Sequence, residues 1–161
     1  MRRDGLITAN IVALLLPVAL VGGAHLSERF GLVPCEMCWW QRYPHYAAVL
    51  VAAAAFAIRH RPTRMLFVLF AAVLIAVSGG IGVFHAGVEY RWWEGITQCT
   101  AHPTAGADPM AMLTEALRRP LIRCDVPQWT LFGISLAGFN AIFSLSGAAI
   151  IFALAARRGR R

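Results

Sequence analysis

The sequence predicts an all-α membrane protein in which four transmembrane helices form a bundle with a long loop on one side. Hydrophobic residues make up 58% of the 161 residues, and the mean hydropathy is +0.60. Only 14% of the residues are charged, well below the usual share in a soluble domain. Four apolar runs each approach the ~20 residues that cross about 30 Å of hydrocarbon as a helix. We therefore expect a single integral membrane domain over residues 1–161.

The predicted spans lie at about 6–26, 39–58, 65–85 and 131–154. Their apolar residues run continuously rather than in alternation, which argues against a β-barrel. The second span is polar in its first third. The first span follows a basic N terminus and contains Gly22-Gly23-Ala24, a pattern that would also suit a cleavable signal peptide. Its apolar run is long for a signal peptide, so we favour a retained helix.

Arginine is sorted by position along the chain, and this sorting predicts the orientation of the spans. All 15 basic residues are arginine, and nine of them lie in three clusters, at 2–3, 59–64 and 157–161. Seven of the eight acidic residues lie elsewhere, between Glu28 and Asp125. Positive clusters mark the cytoplasmic side of a membrane protein, so both termini should be cytoplasmic. The net charge of +7 is thus sorted by membrane side and does not form a nucleic-acid surface.

This orientation leaves two loops on the opposite side, at about 27–38 and 86–130. All four cysteines fall in these loops: Cys35, Cys38, Cys99 and Cys124. In a bacterial cell this side is the oxidising periplasm, where disulfides persist. Aromatic residues that favour a membrane interface cluster near the same boundary: Trp39, Trp40, Tyr43, Tyr46, Tyr90, Trp92, Trp93 and Trp129.

The long periplasmic loop contains a predicted short helix that lies on the membrane surface. Asp108 suits an N-cap and Pro109 the first helical turn, while Pro120 would end the helix. Four apolar residues between them recur at helical spacing: Met112, Leu113, Ala116 and Leu117. An alternative is an amphipathic turn that covers only the loop's own core.

The stretch VPCEMCWWQRY places a Cys-x-x-Cys pair at the predicted start of the second helix. Unpaired amides in the first turn and the helix dipole stabilise a thiolate at such a position. The spacing of Cys38, Arg42 and His45 puts them on one helical face, provided that Pro44 leaves the helix undistorted. Because arginine keeps its charge, Arg42 would favour a thiolate or a bound anion beside it.

Arg42 and His85 each allow a functional and a structural interpretation. An ionisable residue within a span is costly and usually functional. Arg42 lies close enough to the outer end of its span to extend its guanidinium to the interface instead. His85, at the outer end of the third span, could contact a ligand or simply pack against its neighbours. His25 and His102 show no partner pattern in the sequence.

The four cysteines allow three interpretations. Zinc is disfavoured, because Cys99 and Cys124 are 25 positions apart and do not form a second metal-binding pair. Two structural disulfides are the second interpretation, although a Cys35–Cys38 bond closes a very short loop and constrains the unfolded chain little. We favour a dithiol relay, in which two disulfides exchange through mixed intermediates.

The location of the pair also suggests the electron acceptor. The sequence shows no nucleotide-binding motif, and Trp39 stands where a haem-attachment motif would need histidine. A lipid-soluble quinone suits a redox pair at the membrane surface. This expectation rests on location and not on a binding motif.

Together these features resemble the disulfide bond formation protein B (DsbB) family, over nearly the whole chain. Residues 34–42, PCEMCWWQR, match the family's PCxxCxxxR motif. The order is completed by His85 late in the third span, Cys99 in the long loop, and Cys124 followed by VPQW at 126–129. The combination of these motifs in this order is specific to the family.

The resemblance implies a quinone-dependent protein-disulfide oxidoreductase of the bacterial inner membrane. Such a protein reoxidises a periplasmic DsbA-type thiol oxidase of thioredoxin fold. The reduced partner attacks a Cys99–Cys124 disulfide and joins transiently to Cys99. Cys124 then attacks Cys35 and opens a Cys35–Cys38 disulfide, and the electrons leave to ubiquinone or menaquinone in the membrane pool.

The resemblance also implies how the quinone is held. Cys38 faces the quinone ring, while Arg42 and His85 hold the quinone and Arg42 stabilises negative charge on it. Two departures from the family pattern bear on this site. Gln41 stands where some relatives carry an acidic residue, which affects the polar contacts of the pocket. Cys124 lies only a few residues from the fourth span, which limits how far its sulfur can move.

Three other classes of protein share part of the pattern. A vitamin K epoxide reductase-like protein is also a quinone-linked helical bundle, but its loop cysteines precede the Cys-x-x-Cys pair, and here that order is reversed. A DsbB paralogue could serve one dedicated partner. A non-enzymatic membrane protein with structural disulfides or a zinc site is the alternative from a different class.

Overall fold

A computed structural model of the chain describes residues 4–97, 110, 114, 117 and 123–156. Four long helices make up most of these residues: α1 (Asp4–Arg29), α2 (Glu36–Ala57), α3 (Arg61–Glu89) and α4 (Leu136–Ala156). A two-stranded antiparallel hairpin, β1 (Thr130–Leu131) and β2 (Ile134–Ser135), precedes α4. The prediction of an all-α architecture is confirmed in its main elements, and the small hairpin is an addition to it.

The helices pack around α3, which makes the most extensive contacts with α2 and α4. α1 completes the bundle by packing on α2 and α4. The core is built largely from small side chains, among them Ala48, Ala52 and Ala55 of α2. Small residues let helix backbones approach closely, which is how helices associate where lipid removes the hydrophobic driving force.

Gly82 of α3 lies at a close approach of the α3 and α4 backbones. A methyl group added there would lie 3.0 Å from the carbonyl oxygen of Ala137 and 3.0 Å from the amide nitrogen of Ala141, both in α4. These are backbone atoms that cannot move aside. The contact brings Asn140 of α4 against α3, where it takes part in the polar network described below.

Three of the four helices are long and apolar enough to cross a membrane: Gly5–Arg29, Arg61–Glu89 and Leu136–Ala156. α2 is not among them, although a span was predicted at about 39–58. The first turns of α2 carry Gln41, Arg42 and His45, which are buried inside the bundle and lower its hydropathy. α2 nevertheless continues through Pro44 without a break. Cys38, Arg42 and His45 can therefore share one helical face, as the sequence predicted.

The start of the fourth predicted span is the clearest difference from the sequence-based expectation. The chain forms a hairpin over Thr130–Ser135, and the helix begins only at Leu136. Phe132 and Gly133 form the turn with φ of 52° and 77°, the two positive values that a tight two-residue hairpin requires. The hydroxyl of Ser135 accepts a hydrogen bond from the amide of Gly138, and so caps the new helix.

Most of the predicted surface helix in the long loop lies outside the described residues. Met110, Thr114 and Leu117 are described, and all three are helical and exposed. The Thr114 hydroxyl donates a hydrogen bond to the carbonyl of Met110, one helical turn earlier. Cys99 and the remainder of the segment also lie outside the described residues, so the predictions made for them stay predictions.

Candidate thiol and quinone site

Cys35 and Cys38 lie at the N terminus of α2. Cys35 is the N-cap residue, and its sulfur accepts a hydrogen bond from the amide of Cys38 at 3.3 Å. The two sulfurs are 2.8 Å apart and are not joined by a disulfide. The helix dipole and the first-turn amides point at these sulfurs, an arrangement that stabilises a thiolate.

Cys124 reaches the same place from the segment that precedes the hairpin. Its side chain is 1% exposed and packs in one cluster with Cys35, Met37 and Val88. The pKa of Cys35 is raised above its ordinary value. The main cause is hydrogen bonding with the thiols of Cys124 and Cys38, and the next is burial. Three of the four cysteines therefore meet within one buried cluster, although Cys124 lies only a few residues before the hairpin.

Gln128 holds the segment that carries Cys124 against the loop before α2. Its side-chain oxygen accepts a hydrogen bond from the amide of Val33 at 2.9 Å, and its side-chain nitrogen donates one to the carbonyl of Val33 at 2.6 Å. This pair of hydrogen bonds mimics the pairing of two strands. It fixes Cys124 relative to Cys35, which lies two residues beyond Val33.

His85 lies beside Cys35, and its ring orientation follows from a network of fixed amides. The amide nitrogen of Gln41 donates to the carbonyl of Met37 at 3.2 Å, and that of Asn140 donates to the carbonyl of Ser78 at 3.2 Å. Because a backbone carbonyl can only accept, both amide orientations are determined. The nitrogen of Gln41 then donates to Nδ1 of His85 at 2.8 Å, and its oxygen accepts from Asn140.

This network places the proton of the neutral His85 ring on Nε2. Nδ1 must accept the hydrogen bond from Gln41, so it carries no hydrogen of its own. Nε2 faces the sulfur of Cys35 at 3.6 Å and has the backbone carbonyl of Cys124 as a second hydrogen-bonding neighbour. His85 is therefore a donor towards the cysteine cluster, and Gln41 is the residue that makes it one.

Arg42 is buried and ion-paired. Its guanidinium bonds to the carboxylate of Glu28 at the end of α1, and its carbon Cζ lies 4.9 Å from the centre of the Trp39 ring. The side chain is 8% exposed, whereas Glu28 is 30% exposed. Glu28 also bonds to His25 at 3.4 Å, and His25 bonds to the hydroxyl of Tyr46 at 2.7 Å.

The Glu28–His25–Tyr46 chain was not predicted from the sequence. His25 belongs to no sequence motif. Its partners Glu28 and Tyr46 lie 3 and 21 positions further along the chain, in α1 and α2. The only available signal was an acidic residue near the outer end of the first span, on the same side as Arg42. A buried guanidinium requires an anion or several acceptors nearby.

A cavity of about 310 Å³ joins these groups. This volume lies at the lower end of the range for small-molecule sites. Its walls are mostly apolar and come from α1, α4 and the loop before α2, for example Val21, Leu32 and Phe139. Its polar lining includes most of the residues predicted to share one site: Cys35, Cys38, Arg42, His45 and His85. The predicted polar face of α2, with Cys38, Arg42 and His45, lies along one side of this cavity.

The residues present fit a quinone head group better than a metal ion. Quinone oxygens can only accept hydrogen bonds, and the cavity offers donors in Arg42 and His85 between apolar walls. Cys35, Cys38 and His85 could supply three metal ligands within 4.8 Å of one another. However, two thiolates on a tetrahedral zinc ion with bonds of about 2.3 Å lie roughly 3.8 Å apart. The 2.8 Å separation of the two sulfurs does not match that spacing.

The comparison with known proteins agrees with the class that this fold and site define, a helical membrane protein with a thiol cluster. The profile of the family described as disulfide bond formation protein DsbB matches residues 7–154. The chain belongs to this family.

Relatives named disulfide bond formation protein B align with this chain over most of their own lengths. The disulfide bond formation protein B of Polaromonas sp. is 31% identical, covering 92% of this chain and 91% of its own. That of Acidovorax sp. is 29% identical over 96% and 87%. No solved structure matches the chain significantly. The protein is thus an integral membrane protein of a family of disulfide oxidoreductases.

Proposed function

We propose that the protein reoxidises a periplasmic DsbA-type thiol oxidase and passes the electrons through two cysteine pairs to a membrane quinone. The observation that carries this proposal is the meeting of Cys124 with Cys35 and Cys38 beside the cavity that Arg42 lines. A structural disulfide needs only two cysteines in contact. A third buried thiol in the same cluster is what disulfide exchange requires.

The proposed relay runs between two disulfides, Cys99–Cys124 and Cys35–Cys38. The reduced partner attacks Cys99 and releases Cys124. Cys124 then attacks Cys35, its neighbour in the buried cluster, and Cys38 is released. Cys38 is the proposed exit, because it is half-buried and lines the cavity next to Arg42.

Arg42 and His85 are the residues proposed to hold the quinone. When bound, the quinone supplies a two-electron acceptor that takes up two protons. Arg42 would donate hydrogen bonds to a quinone oxygen, since a guanidinium has five N–H donors and Glu28 occupies only part of them. His85 would direct its Nε2–H into the same cavity. The apolar walls exclude water from the thiols and receive the ring.

The proposed setting is the bacterial inner membrane, with α2 as a fourth span and both termini in the cytoplasm. Two features support it. The three arginine clusters belong to one side of such a bundle, and α2 is long enough to cross it with its polar residues turned inward. The cysteines then face the periplasm, where the partner oxidase is found.

The proposal is tested by mixing the purified oxidised protein with a reduced DsbA-type partner and ubiquinone, and recording the loss of quinone absorbance. We expect catalytic quinone reduction with one partner disulfide formed per quinone consumed. A protein with purely structural disulfides would give no turnover. A zinc protein would contain about one metal ion per chain and would release it on oxidation.

A further inference from the structure

Glu89, the last residue of α3, is a buried carboxyl group near the thiols of Cys38 and Cys124, and packing does not explain it. Its side chain is 8% exposed and lines the cavity. Oε2 has no hydrogen-bond partner among the described residues, and Oε1 lies 3.8 Å from Nε2 of His85, beyond hydrogen-bond range. The side chain of Ser135 is a further polar neighbour. Such burial lowers stability, and a helix C terminus disfavours negative charge.

The relay needs a base, and His85 cannot be that base. A thiol must lose its proton before its sulfur can attack a disulfide. Nδ1 of His85 is occupied by the hydrogen bond from Gln41, and Nε2 already carries the ring proton. The neutral ring has no free lone pair to receive a proton from a neighbouring thiol.

The other acidic and basic groups near the site are committed or distant. Glu28 is paired with Arg42 and His25. Asp125 forms two hydrogen bonds with Arg123 at 2.9 Å and 2.5 Å. His45 lies seven residues beyond Cys38, about two helical turns or roughly 10 Å away. Glu36, next to Cys35 in the chain, is exposed to solvent. Among the described residues, Glu89 is the remaining buried carboxyl group within electrostatic reach of the thiols of Cys38 and Cys124.

We infer that Glu89 is the base that takes the proton from Cys124 when its sulfur attacks the Cys35–Cys38 disulfide. The S–H bond of Cys124 breaks and an O–H bond forms on Glu89. The Cys124 sulfur bonds to Cys35 while the bond from Cys35 to Cys38 breaks. Cys38 then takes the proton from Glu89. One disulfide replaces another, so the step needs no outside oxidant or reductant.

The advantage of this transfer is that the net charge of the buried cavity does not change. A thiol and a carboxylate become a thiolate and a carboxylic acid, and the single negative charge only moves. Forming a thiolate by losing the proton to solvent would instead add a charge to the low-dielectric cluster. This inference rests on the proposed relay, because it assigns the proton of one of its steps.

The test isolates that step by trapping it in a Cys99→Ala protein with the Cys35–Cys38 bond oxidised. In this protein Cys124 can exchange with Cys35 and expose Cys38, which saturating iodoacetamide then alkylates. Mass spectrometry counts chains that carry alkylated Cys38 together with a Cys35–Cys124 bond. The rate is measured from pH 6 to pH 8 with Glu89 intact, with Glu89→Gln and with Glu89→Asp.

We expect Glu89→Gln to slow trapping about 100-fold at pH 7, as for the loss of a general base. The remaining rate should rise about tenfold per pH unit, because the thiolate must then form by losing its proton to solvent. Glu89→Asp should recover part of the rate. Glu36→Gln, an exposed acid beside the same cysteines, is the matched control and should leave the rate unchanged.

Other charged or titratable groups line the same cavity. They are the same in the protein with Glu89 intact and in its Glu89 variants. Apart from the thiols and Glu89, they are Arg42 and His45 of α2, His85 of α3, and Arg123 of the segment before the hairpin. Glu28 of α1 is ion-paired with Arg42. α4 contributes only uncharged side chains to the lining. Their titration therefore cancels when the pH profiles of Glu89→Gln and of the protein with Glu89 are compared.

An unchanged rate and pH profile in Glu89→Gln would overturn the assignment of Glu89 and leave the relay intact. A different failure would overturn the relay as well: no Cys35–Cys124 product in the protein that keeps Glu89. Helical circular dichroism of each variant shows whether the bundle is formed, and the partial recovery by Glu89→Asp separates a lost base from a lost fold.

Discussion

The side-chain amide of Gln41 donates a hydrogen bond to Nδ1 of His85 across 2.8 Å, and this one contact determines which nitrogen of His85 carries the proton. Because Gln41 is itself oriented by the carbonyl of Met37, the donor cannot be exchanged for an acceptor by an amide flip. Gln41 therefore decides the hydrogen-bonding character of the thiol site.

Replacing Gln41 by glutamate should move the ring proton of His85 from Nε2 to Nδ1, because the new side chain accepts instead of donating. The lost hydrogen bond to the carbonyl of Met37 should also lower the free energy of unfolding by about 1 kcal/mol. Nitrogen-15 NMR of the histidine rings measures the protonated nitrogen directly, and His60, which bonds to Thr63, serves as the internal control. A protonated Nδ1 in the unchanged protein would mean that the Gln41 amide does not donate to His85.

Replacing Arg42 by alanine should raise the KM for quinone about tenfold, because a donor to the quinone is lost. The initial thiol exchange between the partner and Cys99 should remain intact. Arg42→Lys should retain part of the affinity, since it keeps the charge but loses the fork geometry. Glu28→Gln tests whether the ion pair with Glu28 orients the guanidinium of Arg42. The substitution removes the anion and leaves Arg42 in the cavity lining.

These Arg42 measurements use steady-state kinetics at varied quinone concentration, with a stopped-flow measurement of the first thiol exchange. An unchanged KM in Arg42→Ala would show that Arg42 acts only through packing and its ion pair with Glu28. A slowed first exchange would show that Arg42→Ala alters more than the quinone site.

Replacing Gly82 by alanine should destabilise the bundle by about 1–3 kcal/mol, because the methyl group meets backbone atoms of α4 at 3.0 Å. Gly80 of the same helix is the matched control, since a methyl group there has no neighbour within 4 Å. Gly80→Ala should be neutral or stabilise the helix by up to about 1 kcal/mol. Unfolding in detergent followed by circular dichroism compares the two, and equal stabilities would refute the close α3–α4 approach.

The fully reduced protein should lose stability as the pH rises above about 8.5, the ordinary pKa of a thiol. Neighbouring thiols and burial raise the pKa of Cys35 in the folded chain. Below pH 8.5 both folded and unfolded chains hold this proton, so Cys35 adds no pH dependence. Above it the unfolded chain ionises while the folded chain does not, which favours unfolding by up to about 1.4 kcal/mol per pH unit.

The matched variant for this prediction is Cys35→Ser, which keeps a small polar side chain without a thiol that titrates. Thermal unfolding between pH 7 and pH 10 should show a shallower loss of stability in Cys35→Ser. The other three cysteines and the three tyrosines also titrate in this window, but they are common to both proteins. Identical pH profiles would mean that the pKa of Cys35 is not raised by folding.

The helices and the polar face of α2 could be predicted from the sequence because both are periodic and local. Apolar runs of about 20 residues indicate membrane-spanning helices. The spacing of Cys38, Arg42 and His45 follows from one helical turn after another. The hairpin before α4 could not be found in this way. Residues 131–134 continue the apolar run of the fourth span, and Gly133 is the only turn-forming residue among them.

The contacts between helices were beyond sequence reasoning for a different reason. Glu28 and His25 meet α2 only because α1 ends beside it, and Glu89 joins the thiols only because α3 ends at the same level. Neither relationship leaves a spacing signature. A carboxyl group at the end of a span was visible in the sequence at Glu89, and it was the best available signal for the base.

The central claim is that electrons enter at Cys99 and leave at Cys38, and single-turnover assays of Cys38→Ala and Cys99→Ala test it most directly. With reduced DsbA-type partner and ubiquinone, both variants should consume no quinone. Cys38→Ala should still form a covalent complex with the partner through Cys99, and Cys99→Ala should not. Undiminished quinone reduction in either variant would contradict the proposed electron path.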